Sequence, residues 1–376
     1  MSKLFPSVDP DGLLEYSVVF NDRSLNHMSA PFQQVMRDIS STLRQVYNAE
    51  GAVIVPGGGS FGMEAVARQF ANGEHCLVVR NGWFSYRWSQ ILEAGRITDR
   101  VTVLKARALD NTPQAAYAPV PAETVAERIR AEKPAVVFVP HVETAAGIVL
   151  PDDYLKTIGN AVKDVNGLFV LDCVASGALW VNTKACGVDV LISAPQKGWS
   201  ASPCAALITL NERAIARMEE TTSSSFAADL RKWSQIMQAY ESGNHAYHAT
   251  MPTDTLVILR DAMLETLKTG PDLLYQRQVE LGQQVRELFY SAGFKSVAAP
   301  GFESPSVVVL HTDDINMHNT SLFREQGLQT AAGVPLMCDE PEGFRTFRIG
   351  LFGLEKLNNV ERTMENLRVA LEAIRG

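Results

Sequence analysis

Three short stretches carry residue types that can do chemistry. In "LISAPQKGW", Lys197 stands just past an apolar run and beside Gly198. Lysines are ordinarily solvent-exposed, and that is the bland reading. One held at a strand end inside a site is partly desolvated, which lowers its pKa and frees the amine. A Schiff-base nucleophile requires that condition. In "LFVLDCVASGALW", Asp172 follows four apolar residues. A carboxylate there is costly unless paired; it either caps a local turn or pairs with a cationic ring nitrogen. In "VPGGGSFGMEA", Gly57, Gly59 and Gly62 keep a G-x-G-x-x-G spacing. A Gly-rich turn that opens a helix offers free N–H groups and a positive dipole end to an anion. The stretch points to a phosphate without saying which molecule carries it.

Two cofactor classes compete for that phosphate site. A dinucleotide site places an acidic residue about 20 positions on, at the end of the next strand, to bind ribose. Here "CLVVR" ends at Arg80-Asn81-Gly82, with no acid. Only Arg80, as a reader of a 2′-phosphate, keeps that class open. Pyridoxal phosphate instead needs a lysine, an aspartate for its ring nitrogen and a phosphate cradle. All three are present.

The elements that must position these residues read as alternating strands and helices. Strands are expected at 52–56, 76–80, 100–106, 135–144, 168–176, 188–198 and 205–211. Helices are expected from Pro31 to Tyr47, from Gly62 to Phe70, and over 85–95, 121–133 and 151–167. Such alternation predicts an α/β fold with a mostly parallel sheet and helices on both faces. Ligands then sit beyond the carboxyl ends of the strands, where Thr144, Asp172 and Lys197 fall. Past residue 260 the texture changes, with helices at 256–269 and 272–292, an apolar run at 306–312, a strand-like 347–353 and a last helix at 355–375. The expected organisation is an N-terminal arm over 1–20, a large cofactor-binding domain over 21–260 and a smaller C-terminal α+β domain over 261–376.

Composition excludes several classes. The 376-residue chain is 46% hydrophobic and 20% charged, ordinary for a globular protein, with net charge −8. The acidic balance gives no footprint for nucleic acid. No run of about 18 apolar residues suggests a membrane span, and no apolar leader core opens the chain. The five cysteines are scattered without a C-x-x-C pair, which fits reduced thiols in a cytoplasmic protein and no structural metal.

The motifs "GGGSFGMEA", "NGWFSYRW", "HVETAAGIVLP", "LDCVASGAL", "SAPQKGW", "YHATMP" and "FRIGLFG" together resemble the class V aminotransferases, fold-type I pyridoxal-phosphate enzymes. Within that family the chain looks most like the alanine/serine–glyoxylate and 2-aminoethylphosphonate–pyruvate aminotransferases. The resemblance implies a transaminase that uses pyridoxal 5′-phosphate, works by a ping-pong mechanism and forms a homodimer with shared active sites. It implies that the backbone N–H groups of Gly59, Ser60 and Phe61 hold the cofactor phosphate and that the Gln196 side chain reaches it. Phe84, or its neighbour Trp83, would stack on the ring, with Val174 on the other face. Thr144 would lie near the phenolic oxygen, Asp172 at the ring nitrogen and Lys197 in the Schiff base. Tyr247 and Thr250 would reach the phosphate across the dimer interface, and Arg348 would grip the substrate α-carboxylate. "YSVVFNDRSLNHMS" departs from the family's glycine-proline turn, so Arg23 is a second acid reader or a surface residue. Cys338, ten residues before Arg348, leaves a lyase or desulfurase on the same fold as the alternative.

Overall fold

In the computed structural model, which describes residues 13–376, seven of the apolar segments pair into one sheet. They are β1 (Gly51–Pro56), β2 (Cys76–Arg80), β3 (Val101–Lys105), β4 (Val136–Pro140), β5 (Leu168–Asp172), β6 (Val190–Ser193) and β7 (Ala205–Leu210). Their order across the sheet is β1-β7-β6-β5-β4-β2-β3. Strands β6, β5, β4, β2 and β3 run parallel, and β7 lies antiparallel between β6 and β1. Strands β2, β4, β5 and β6 are buried along their whole length, as a sheet covered on both faces requires. The expected α/β architecture is therefore the observed one.

The helices follow from local signals. Helix α1 (Ala30–Tyr47) opens on Ser29, whose hydroxyl accepts the Phe32 N–H, and has proline in its first turn, the preferred start. Its apolar stripe packs on β1 and on a helix at Thr253–Thr269. Helix α2 (Gly59–Phe70) follows β1, α3 (Trp83–Ala94) follows β2, α4 (Ala122–Glu132) precedes β4, and α5 (Asp152–Asp164) precedes β5. Helix α2 starts three residues earlier than the sequence suggests, so the glycines after Gly58 form its first turn rather than a loop. The strands β5 and β6 stop sooner than expected, and Val174 and Lys197 lie on the turns beyond them. Two further helices, Glu212–Glu220 and Leu230–Glu241, flank the "TTSSSF" loop.

A second apolar cluster gathers Leu281, Val285 and Phe289 of the helix Pro271–Ser291 with Phe347, Ile349, Leu367 and Leu371. It is built on β8 (Val307–His311), β9 (Ala331–Ala332) and β10 (Thr346–Gly350), an antiparallel sheet in the order β8-β10-β9. The last helix is Val360–Arg375, preceded by a separate turn of helix at Leu354–Leu357. Of the expected N-terminal arm, residues 1–12 lie outside the described residues. Among the described residues no helix is long and apolar enough to cross a membrane.

Candidate active site

Asp172 closes β5, paired in register with Pro140 of β4 and Ile192 of β6. Its carboxylate accepts the Val174 N–H at 2.9 Å. Only 9% of the residue is exposed. Burial is the main reason that its carboxyl is pushed up to about 6; the Val174 amide opposes the shift and Glu143 adds to it. Lys197 lies past the end of β6, on a turn closed by Ala201 N–H to Pro195 O at 3.0 Å and Ser200 N–H to Lys197 O at 3.2 Å. The turn needs Gly198, since a Cβ there would stand 2.1 Å from the Gly177 carbonyl oxygen. Burial holds the Lys197 amine below its ordinary value, with Arg348 and Arg87 acting the same way and Asp172 opposing. Its Nζ sits 4.8 Å from the Phe352 ring centre.

The phosphate-type cradle comes from α2. Its N-cap, Gly58, brings no side-chain cap, and the Phe61 and Gly62 N–H groups both turn back to the Gly58 carbonyl. Ahead of them, the amides of Gly59 and Ser60 belong to the first turn, which has no intrahelical acceptors. A Cβ on Gly59 would come within 2.6 Å of Val174, so only glycine lets the helix end approach the Asp172 turn. Phe84 is set by the start of α3. There the buried Glu143 accepts the Phe84 N–H at 3.2 Å, the Ser85 N–H at 2.8 Å and the Ser85 hydroxyl at 2.7 Å. The same carboxylate also accepts the Ala145 N–H at 2.9 Å, which fixes the turn bearing Thr144.

These elements enclose one cavity of about 190 Å³. Gly59, Ser60, Phe84 and Thr144 line it together with Asp172, Val174, Gln196 and Lys197. Met63 and Arg87 also line it, and sequence reasoning passed over both. Arg87 was findable: it stands three residues after Phe84, on the same helix face. Its guanidinium donates to the Ser60 hydroxyl at 3.0 Å and lies 4.8 Å from the Phe84 ring centre.

Other expected residues fall elsewhere. Phe61 is expected at the phosphate through its backbone amide, which here bonds the Gly58 carbonyl at 2.9 Å, while its exposed side chain covers Gly57. Arg348, on β10, donates through Nε to the Ala332 carbonyl at 2.8 Å and lies 5.5 Å from the Phe84 ring centre. It does not line the cavity itself, although its charge acts on Lys197. Tyr247 and Thr250 bond to each other at 3.1 Å and do not line the cavity within one chain. Neither does Arg23; its N–H is taken by the Asn21 side chain in an exposed turn. Trp83 packs on Tyr86.

Two alternatives lose their residues. Arg80 is buried and spends its guanidinium on the Met337 carbonyl, the Ser89 hydroxyl and the Tyr86 ring, so it cannot read a 2′-phosphate. Cys338 is buried, and burial pushes its thiol up to about 12; the thiolate a sulfur nucleophile needs is not available at neutral pH. All five cysteines are free and buried.

Residues 13–351 match the family model described as aminotransferase class-V. The chain is 25% identical to the alanine–glyoxylate aminotransferase of Mus musculus over 364 residues, 93% of this chain and 83% of that one. It is 26% identical to 2-aminoethylphosphonate–pyruvate transaminase 1 of Burkholderia lata over 353 residues, 92% of this chain and 90% of that one. The solved alanine–glyoxylate aminotransferase from Nostoc sp. superposes with a TM-score of 0.79 at 23% identity, covering 94% of this chain and 89% of that chain. The superposition shows the shared fold.

Proposed function

We propose, from the premise that this chain belongs to the class-V aminotransferase family and is a pyridoxal 5′-phosphate-dependent transaminase, that it moves the amino group of a small amino acid of the alanine or serine type to a 2-oxo acid such as glyoxylate or pyruvate. One observation carries the site assignment: a desolvated lysine and a buried, under-satisfied aspartate line the same small cavity at the end of a parallel sheet. The donor set fits the cofactor. Asp172 offers a carboxylate for which a cationic ring nitrogen is the missing partner, and the glycine-built end of α2 offers amides to a phosphate. Gln196 lies beside them. Phe84 and Val174 would flank the ring, and Thr144 would offer its hydroxyl to the phenolic oxygen. In a homodimer, Tyr247 and Thr250 would complete the phosphate site from the second copy.

The bound cofactor supplies an electron sink for the bonds around the substrate Cα. Lys197 Nζ would hold it through its aldehyde carbon. Once displaced by the substrate amine, the Lys197 amine is free to take the Cα proton and return it elsewhere, as base and then acid. Burial supports that role by holding the Lys197 amine below its ordinary pKa. Asp172 would hold the ring nitrogen of the bound cofactor protonated. Arg348, anchored through Nε, leaves its two terminal nitrogens to fork onto an α-carboxylate.

That fork favours an α-amino acid over 2-aminoethylphosphonate, which has no carboxylate beside its amine. The test is a half-reaction panel on the purified holoenzyme, with L-alanine, L-serine and 2-aminoethylphosphonate as donors and glyoxylate and pyruvate as acceptors. Conversion by an α-amino acid and reversal by one oxo acid is the expected result. Conversion by the phosphonate alone replaces the donor assignment. Absence of any cofactor trapped on Lys197 by borohydride sinks the site assignment.

A further inference from the structure

The phosphate of the cofactor is close to dianionic at neutral pH, yet the groups so far placed around it are neutral. They are the Gly59 and Ser60 amides, the Gln196 side chain and, from a second copy, the Tyr247 and Thr250 hydroxyls. Of the residues lining the cavity, two are cationic, Lys197 and Arg87. Lys197 is taken by the chemistry at the aldehyde carbon. Arg87 puts its guanidinium on the Ser60 hydroxyl at the first turn of α2.

That position is electrostatically unfavourable on its own. The N-terminal end of a helix carries partial positive charge and disfavours a cation. Among the described residues no carboxylate lies within ion-pairing distance of Arg87, and its one side-chain hydrogen bond goes to a neutral hydroxyl. A guanidinium has five donors. Here its Cζ also lies over the Phe84 ring, 4.8 Å from the ring centre, so it is held from two sides. A cation locked beside a helix N-terminus, facing a cavity, is complete once an anion sits between the two.

We propose that Arg87 is the charged member of the phosphate cradle, and that it gives the site its preference for a phosphorylated over an unphosphorylated pyridoxal. The same side chain backs the Phe84 ring, so one residue ties the phosphate end of the site to the ring platform. The inference rests on the cofactor assignment and adds to it a role for Arg87, a residue of "NGWFSYRW" to which the sequence reading gave none.

The experiment titrates the cofactor-free protein with pyridoxal 5′-phosphate and, separately, with pyridoxal, following tryptophan fluorescence with equilibrium dialysis as the check. Wild type, Arg87→Met and Arg87→Lys are compared, each first shown to keep its thermal midpoint without ligand. Arg87→Met is expected to weaken pyridoxal 5′-phosphate by about 10- to 100-fold, the worth of a charge-assisted hydrogen bond. It should leave pyridoxal within about twofold, since no phosphate is there to read. Arg87→Lys, keeping the charge but not the fork, should recover part of the preference. Equal weakening of both ligands by Arg87→Met would mean that Arg87 acts only by packing on Phe84, and would overturn the proposal. So would no weakening of either. A wild type that binds neither ligand fails at the earlier step, the cofactor assignment itself.

Discussion

Two buried aspartates stand at opposite ends of the same sheet. Asp189 lies just before β6, and Asp172 closes β5. Burial pushes both carboxyls up. Asp189, 1% exposed, accepts the Phe169 N–H at 2.7 Å and the Asn211 side-chain amide at 2.7 Å. It also pairs with Arg213 through both oxygens at 3.1 Å. Asp172 has the Val174 amide and then a cavity. Cavity size does not separate the two ends, because the one beside Asp189 is larger, about 530 Å³ against about 190 Å³. What separates them is whether the polar groups have already found one another. At the Asp189 end they have, including Lys184 with Glu50. At the Asp172 end the charges are left for a ligand.

If that contrast is right, charge removed at the Asp172 end should cost activity, and charge removed at the Asp189 end should cost stability. The largest effect is expected from Lys197→Ala. Losing the amine that holds the cofactor and moves the proton should lower kcat by about 10⁴-fold or more. The thermal midpoint of the cofactor-free protein should not fall, because burial already disfavours the Lys197 charge. Steady-state kinetics and thermal unfolding on one preparation decide it; a kcat within tenfold of wild type removes Lys197 from the chemistry.

Asp189→Asn tests the other end. It keeps one oxygen for the Phe169 N–H but sets an amide donor against Asn211 and leaves Arg213 without its charge partner, so the lost charge-assisted bonds outweigh the relief of burying a charge by about 1–2 kcal/mol. Urea unfolding should show that loss, while kcat per folded molecule stays unchanged. A fall in kcat at intact stability would mean that the two ends of the sheet are not divided as described.

The sequence made one end legible and hid parts of both. Asp172 could be read because it directly follows an unbroken apolar run, and Lys197 because it stands on the turn a few residues beyond one, which sets both near strand ends before any contact is known. The start of α2 was misplaced because its N-cap is glycine, which leaves no side-chain signature. Glu143 was overlooked although it organises the Phe84 and Thr144 turns. A buried glutamate within "HVET" has no periodicity, and its partners lie 58 and 59 residues away. Arg87 carried a signal in its spacing from Phe84, but its bond to the Ser60 hydroxyl depends on the packing of α3 against α2. The helices after Asn211 and Asp229 do carry N-cap residues that bond their first turns, so that signal was present and unused.

The smallest expected effect is also the sharpest, because it reverses sign between ligand states. The Asp172 carboxyl is raised from 3.8 to about 6 in the cofactor-free protein. A raised pKa means that the folded state binds the proton more tightly than the unfolded chain does. Its contribution to stability is therefore fully present below pH 3.8 and is lost as pH rises through about 6. A shift of that size amounts to about 3 kcal/mol at most. Asp172→Asn has no such proton to lose and can still accept the Val174 N–H. Cofactor-free Asp172→Asn should accordingly match wild type near pH 4 and exceed it in stability near pH 7.5. Adding pyridoxal 5′-phosphate should invert the order, because a protonated ring nitrogen pairs with the carboxylate and not with the amide. Urea unfolding of both proteins at the two pH values, with and without cofactor, gives the four differences. A variant less stable than wild type at pH 7.5 without cofactor would make Asp172 a satisfied structural carboxylate like Asp189, and the distinction between the two ends would fall.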